Sequence, residues 1–345
     1  MKNVLEWLEA TVAKYPDKPA FSDTESSITF RQVYDIARNT GAYLVEQLGV
    51  DRTPVAVFAG RKMVTPAYFL GVVYAGRPYA PIDASLPDKR IEKILENLCP
   101  RAIVADRESR EHVESIVDEL AKAEGFDRPQ IFIAEDISHF EQVACADSNC
   151  KISESSGDAV TDSENDTDGG VVAGCAGKTD DSALEKLATV RRQMSMTDPL
   201  YIIYTSGSTG NPKGVMTSHL SLMTYINAYC DVMHIEESDV LGNQSPLDYI
   251  AAIRDIYLPL KTGCSTAIIP KEYFMEPNAL FDYMNDKKVS SVGWSVSAFT
   301  ILTSLGAFEE VGLKSLRKIC FSGSVMPCRV LRKWQENLPE AHFVN

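Results

Sequence analysis

Eleven consecutive residues, Tyr204-Thr205-Ser206-Gly207-Ser208-Thr209-Gly210-Asn211-Pro212-Lys213-Gly214, bring hydroxyls, glycines and a cation together directly behind the apolar stretch 199–204. The glycines let the backbone turn and approach an anion closely. Thr205, Ser206, Ser208 and Thr209 offer hydroxyl donors, and Lys213 supplies positive charge. A set of this kind holds a polyphosphate. It is not the Walker arrangement, in which Gly-Lys-Ser/Thr follows four spacer residues, because here the glycine follows the lysine. A Ser/Gly linker is the bland alternative, but a linker would not stand behind Leu200-Tyr201-Ile202-Ile203-Tyr204 or close with Pro-Lys-Gly.

Such a loop needs a rigid carrier. Short β-branched or aromatic runs at 54–58, 102–104, 130–133, 200–204, 265–269, 290–294 and 319–321 alternate with helical apolar spacing at 87–98, 109–123, 218–232 and 327–338. This alternation predicts an α/β fold of parallel sheets sandwiched by helices, with ligands gathering at the carboxyl ends of strands. Leu5, Leu8 and Val12 are spaced as an amphipathic helix and not as a signal peptide. Residues 144–182 are dominated by Asp, Glu, Ser, Thr and Gly and read as a disordered acidic insertion. A phosphorylated or metal-binding patch is the functional alternative to a plain solvated insertion there. The expected organisation is a first α/β lobe at 1–144, the insertion at 145–182, and a second lobe with the phosphate loop at 183–345.

The chain has 345 residues and a formal charge of −14, which argues against nucleic-acid binding and against attraction to acidic membranes. Its eight cysteines are scattered without Cys-x-x-Cys spacing, and its five histidines form no ligand cluster, so reduced thiols, no zinc site and a cytoplasmic setting are expected. No apolar run is long enough to span a bilayer.

From Thr205 to Lys213 the chain resembles the adenylate-forming superfamily of acyl-CoA synthetases and amino-acid adenylation domains, whose signature loop is matched at each defined position. Ile28-Thr29-Phe30 with Val33 is similar to the family's Leu-Thr-Tyr-x-x-Leu segment. Ala75-Gly76-Arg77-Pro78-Tyr79-Ala80-Pro81-Ile82-Asp83 is similar to its Ala-Gly-x-x-Tyr-x-Pro-Ile-Asp block. Leu316-Arg317-Lys318-Ile319-Cys320-Phe321-Ser322-Gly323-Ser324 is similar to the strand and turn beside the adenine site. Through the last two segments the likeness is strongest to amino-acid adenylation domains and D-alanine carrier-protein ligases.

The resemblance implies that a carboxylic or amino acid attacks the α-phosphate of ATP, giving an acyl-adenylate that passes to a thiol of CoA or of a carrier protein's phosphopantetheine. Mg²⁺ would share the phosphate charge. The implied nucleotide residues are Thr205, Ser206, Gly207, Ser208, Thr209, Gly210, Lys213, Gly323, Ser324 and Asn345, with Thr209 and Lys213 as the catalytic pair. Members that adenylate amino acids pair the substrate ammonium with an aspartate. Here Ile250 falls at that position, which favours an acid without an α-amino group or one recognised differently. Asp248 substitutes if the register differs; otherwise it caps the helix beginning near Tyr249. Trp294 either walls the substrate cavity or is a core tryptophan. His219 reads as a cap or packing residue, since an ionised carboxylate needs no general base.

Relatives continue past the position of Asn345 into Tyr-Gly-Pro-Thr-Glu. By resemblance the Mg²⁺ carboxylate, the ribose-binding aspartate and a small C-terminal domain lie in that later part. Two expectations stand side by side: the N-terminal portion of an adenylating ligase with little activity alone, or a non-catalytic remnant that binds nucleotide or a partner.

Overall fold

Val55-Ala56-Val57-Phe58 and Ala102-Ile103-Val104-Ala105 carry no polar side chain, so each belongs where both faces are covered, and both are fully buried strands. The computed structural model describes residues 2–122, 125–138, 181–206 and 211–345, without the side chains of 181–184 and 206. The strands are β1 (Pro19–Ser22), β2 (Ser27–Thr29), β3 (Val55–Phe58), β4 (Tyr79–Ile82), β5 (Ala102–Ala105), β6 (Gln130–Ile133), β7 (Pro199–Ser206), β8 (Pro212–Ser218), β9 (Val240–Asn243), β10 (Ser265–Ile268), β11 (Ser291–Ser295), β12 (Lys318–Ser322) and β13 (His342–Val344). They form a seven-stranded sheet in the order β13-β12-β11-β9-β10-β1-β2 and a six-stranded sheet in the order β6-β5-β3-β4-β7-β8.

The α/β reading holds. All pairs are parallel except β1 with β2 and β7 with β8. Helices cover the sheets through apolar stripes. In Asp88–Leu98 the buried residues are Ile91, Ile94, Leu95 and Leu98, a spacing that aligns them on one face. Helix Phe30–Leu48 starts at a reciprocal cap, in which Thr29 Oγ1 accepts from the Gln32 N–H and Gln32 Oε1 accepts from the Thr29 N–H. The N-terminal amphipathic helix spans Leu5–Lys14, with Leu5, Trp7, Leu8 and Val12 buried.

The division into lobes at 1–144 and 183–345 does not follow the sheets. β1 and β2 pair into the sheet built mainly by β9 to β13, and Phe21 lies opposite Thr266. β7 and β8 complete the sheet begun by β3 to β6, and Tyr79 lies opposite Tyr201. Strand pairing is chosen by burial between distant segments, which sequence proximity does not encode. The acidic insertion lies outside the described residues up to position 180, and the chain resumes as helix Asp181–Gln193.

β8 is absent from the sequence-based strand list. Val215 and Met216 are exposed on it, so its residues lack the alternation that marks a half-buried strand. Only its antiparallel ladder with β7 makes it a strand.

Candidate active site

β7 and β8 form a hairpin whose register places Thr205 opposite Lys213 and Ser206 opposite Pro212. The expected loop residues Gly207, Ser208, Thr209 and Gly210 lie at its tip, outside the described residues, as does the side chain of Ser206. Lys213 is exposed, with no ion-pair partner among the described residues. Thr205 Oγ1 donates to the Lys213 carbonyl at 3.5 Å. Helix Asp88–Leu98 braces the hairpin: Tyr204 Oη donates to Asn97 Oδ1 at 2.9 Å, and Lys93 Nζ to Asn211 Oδ1 at 3.2 Å. A solvated cation on a braced two-stranded arm can meet an anion without first breaking an ion pair.

Two cavities flank the arm. One, of about 410 Å³, is lined by Tyr201, Thr217, Tyr225, Ile250, Arg254 and Ser322 among others, so the hairpin, the segment before helix Ile253–Thr262 and the carboxyl end of β12 meet there. The other, of about 330 Å³, includes Arg90, Tyr204, Thr205 and Asp248. Tyr249 borders both.

Ile250 opens the short 3-10 turn Ile250–Ala252 and is 49% exposed toward the larger cavity, presenting methyl groups there and no charge. Asp248 does not cap that turn. Tyr249 takes the cap position, without a side-chain cap bond, because the helical turn starts one residue later than capping by Asp248 requires. Burial, then the nearby Asp83 carboxylate, push the Asp248 carboxyl above the usual range against the pull of backbone N–H groups and Arg90.

β12 pairs with β13 so that Cys320 lies opposite Val344, which brings Gly323, Ser324 and Asn345 to the same edge of the sheet, just past the strand ends. Gly323 has φ +96°, which L side chains rarely adopt, so the strand leaves the sheet through a turn that only glycine takes without strain. Ser324 and Asn345 are exposed.

Trp294 belongs to the core. It is 1% exposed, donates Nε1–H to the Gly242 carbonyl at 2.9 Å, and packs edge-on to Phe274. It is not among the residues lining the larger cavity. As a β11 residue, its side chain faces the helices that cover the sheet, a direction set by strand register.

His219 is a packing residue. Ser218 caps its helix by accepting from the Ser221 N–H, while His219 is 1% exposed and accepts from the Val4 N–H through Nδ1 at 3.4 Å. Burial, against the pull of Asp198, lowers its pKa to about 4. The folded protein therefore keeps His219 neutral where the unfolded chain has already taken up a proton. Stability contributed by His219 is complete above about pH 6.5 and declines as pH falls toward 4, by at most about 3 kcal/mol. Urea titrations between pH 7 and 4 are expected to show that slope, and His219→Gln, which keeps an acceptor for Val4, should flatten it. An unchanged slope would refute the assignment.

Arg254 escaped the sequence reading, and Ser322, read there only as part of the strand and turn beside the adenine site, also lines the larger cavity. The signal was present: Arg254-Asp255 is a charged pair inside the apolar helix Ile253–Thr262, six other residues of which, from Ile253 to Leu260, are buried beside it. Among the described residues no three His, Cys, Asp or Glu side chains gather as a metal site. Nor is any helix among them long and apolar enough to cross a membrane.

A family model described as AMP-binding enzyme matches residues 8–345. The D-alanine--D-alanyl carrier protein ligases of Bacillus cereus (strain AH187) and Bacillus thuringiensis (strain Al Hakam) are each 26% identical over 343 residues, covering 99% of this chain and 58% of the relative. The chain thus spans somewhat more than half the length of the curated relatives it matches. The fold is shared with the anthranilate CoA ligase AuaEII in complex with anthranoyl-AMP (TM-score 0.73, 19% identity, 99% of this chain and 58% of that one). It is shared also with VinN in complex with L-aspartate (TM-score 0.72, 16% identity, 99% and 76%).

Proposed function

Because the chain belongs to the AMP-binding enzyme family, we propose that it forms the nucleotide- and acid-binding part of an adenylate-forming ligase. A carboxylate oxygen of the acid bonds to the α-phosphorus of ATP, the bond from that phosphorus to the bridging oxygen breaks, and pyrophosphate leaves with the electron pair. Thr205 and Lys213, with Ser206, Gly207, Ser208, Thr209 and Gly210 of the hairpin tip, hold the departing phosphates. Gly323, Ser324 and Asn345 border the adenine. The acid lies in the cavity of Ile250, Arg254 and Ser322. Catalysis here is positioning and charge stabilisation, which needs preset donors and no proton transfer from the chain. By analogy with the carrier-protein ligases, the acyl group then passes to a thiol, of a carrier protein's phosphopantetheine or of CoA. Mg²⁺ would accompany the phosphates. A cytoplasmic setting belongs to the same proposal.

The observation that supports this reading best is the solvated Lys213, set on a braced hairpin beside the cavity at the carboxyl end of β12. A polypeptide extending this chain to the length of its relatives is expected to exchange labelled pyrophosphate into ATP only when a particular acid is present. ATP binding with no exchange for any acid would rule the ligase reading out and leave a nucleotide-binding remnant.

A further inference from the structure

A guanidinium lies under the larger cavity with part of its hydrogen bonding unmade. Arg254 is 6% exposed; among the described residues its Nε and Nη2 make no hydrogen bond and are covered where they lie against Gly293, and the Tyr225 hydroxyl interacts with the guanidinium. Its ion pair is with the adjacent Asp255, Nε to Oδ1 at 3.2 Å. That carboxylate is shared: Asn243 Nδ2 donates to it at 2.9 Å, and Arg61 also feels its charge. Arg61 directs its own donors to the carbonyls of Ile269 and Asn243 and to Asn243 Oδ1, at 2.6 to 3.3 Å. The exposed Glu272 reaches Arg61 only from the surface. One buried and one half-buried arginine thus face one buried carboxylate.

The guanidinium is fixed in place. Its planar group rests on Gly293 of β11 so closely that a Cβ there would fall 2.3 Å from Nε, and it stands 5.9 Å over the Tyr229 ring. Burial opposes its charge, but Asp255, Tyr229 and Tyr225 hold it as a cation. A buried cation that shares its counter-charge is costly unless a further anion approaches it, and a carboxylate is the partner suited to the guanidinium edge that lines the cavity. None of the described residues lining the adjoining cavity is acidic, and Ile250 presents only methyl groups to it.

Resting on the adenylation reading above, we propose that this cavity binds a dicarboxylic acid, one carboxylate held by Arg254 at the floor against β11 and the other presented to the nucleotide beside the hairpin. An acid bearing an α-ammonium finds no counter-charge at Ile250 and would meet the Arg254 cation instead. A matched monocarboxylate leaves Arg254 as it is in the free protein. The volume of about 410 Å³ admits a dicarboxylate of aliphatic or single-ring size.

Calorimetric titration of the 345-residue chain with AMP present tests this, using glutarate against pentanoate, phthalate against benzoate, and alanine. The expected result is that at least one dicarboxylate binds tenfold or more tightly than its monocarboxylate partner, and that Arg254→Met removes the preference while Arg254→Lys keeps part of it. Equal or tighter binding of the monocarboxylates or of alanine, no binding by any of these acids, or a preference that survives Arg254→Met overturns the inference. Should Arg254→Met not fold, the comparison within the unmodified chain decides. Pyrophosphate exchange supported by a monocarboxylate would overturn this inference and leave the ligase reading intact, whereas failure of both AMP and ATP to bind removes the two together.

Discussion

Replacing Lys213 by alanine is expected to slow acid-dependent pyrophosphate exchange about 100- to 1000-fold while leaving the melting temperature in place. The kinetic part follows from what a preset cation does for charge that develops on a leaving group, where loss of a single stabilising donor typically costs that factor. The stability part follows from its setting. Lys213 is exposed and lacks an ion-pair partner among the described residues, so its removal breaks no internal bond, and a surface substitution of that kind changes stability by about 0.5 kcal/mol or less. The hairpin itself is held by its ladder with β7 and by Tyr204 and Asn211, none of which the substitution touches. The check is paired: exchange kinetics on the extended polypeptide, and thermal melting of the chain with and without ATP. A drop in melting temperature with an unchanged response to ATP would mean that Lys213 is a structural residue and not a phosphate ligand.

Trp294→Ala has the opposite profile. It is expected to destabilise the chain by about 3 to 5 kcal/mol, the range for truncating a buried tryptophan. The indole contacts Phe274 at 5.1 Å and Phe299 at 5.6 Å between ring centroids, and Phe299 in turn packs on Trp334, so the cavity left behind lies in the middle of an aromatic cluster that cannot collapse around it. The Gly242 carbonyl on the neighbouring strand also loses its indole donor. Urea unfolding measures the loss. Native stability combined with an altered preference among acids would place Trp294 at the substrate cavity after all.

These two residues show how unevenly the molecule can be read from its sequence. The anion-holding character of residues 205–213 was legible because it is a matter of local composition: glycines, hydroxyls and a lysine behind an apolar run state their chemistry wherever they fold. The buried strands β3 and β5 and the helix Asp88–Leu98 were legible for a similar reason, since their apolar periods are short-range. The turn at Gly323 was expected from a strand followed by Ser-Gly-Ser, and its positive φ is the local property that glycine permits.

Tertiary structure decided what depends on partners far along the chain. β8 is a strand only through β7; β1 pairs not only with the β2 that follows it but also with the distant β10; and the two sheets draw on both halves of the chain. Whether Trp294 faced core or cavity turned on the register of β11. Arg254, passed over in the sequence, is set by its neighbour Asp255 together with Gly293 and Tyr229 from two other segments. The sequence by itself determined which groups were available and that they belonged to an α/β scaffold. Which of them are solvated, which are buried, and which buried charge lacks a full set of partners was decided by packing between distant segments, because desolvation depends on what covers a group and not on its neighbours in the chain.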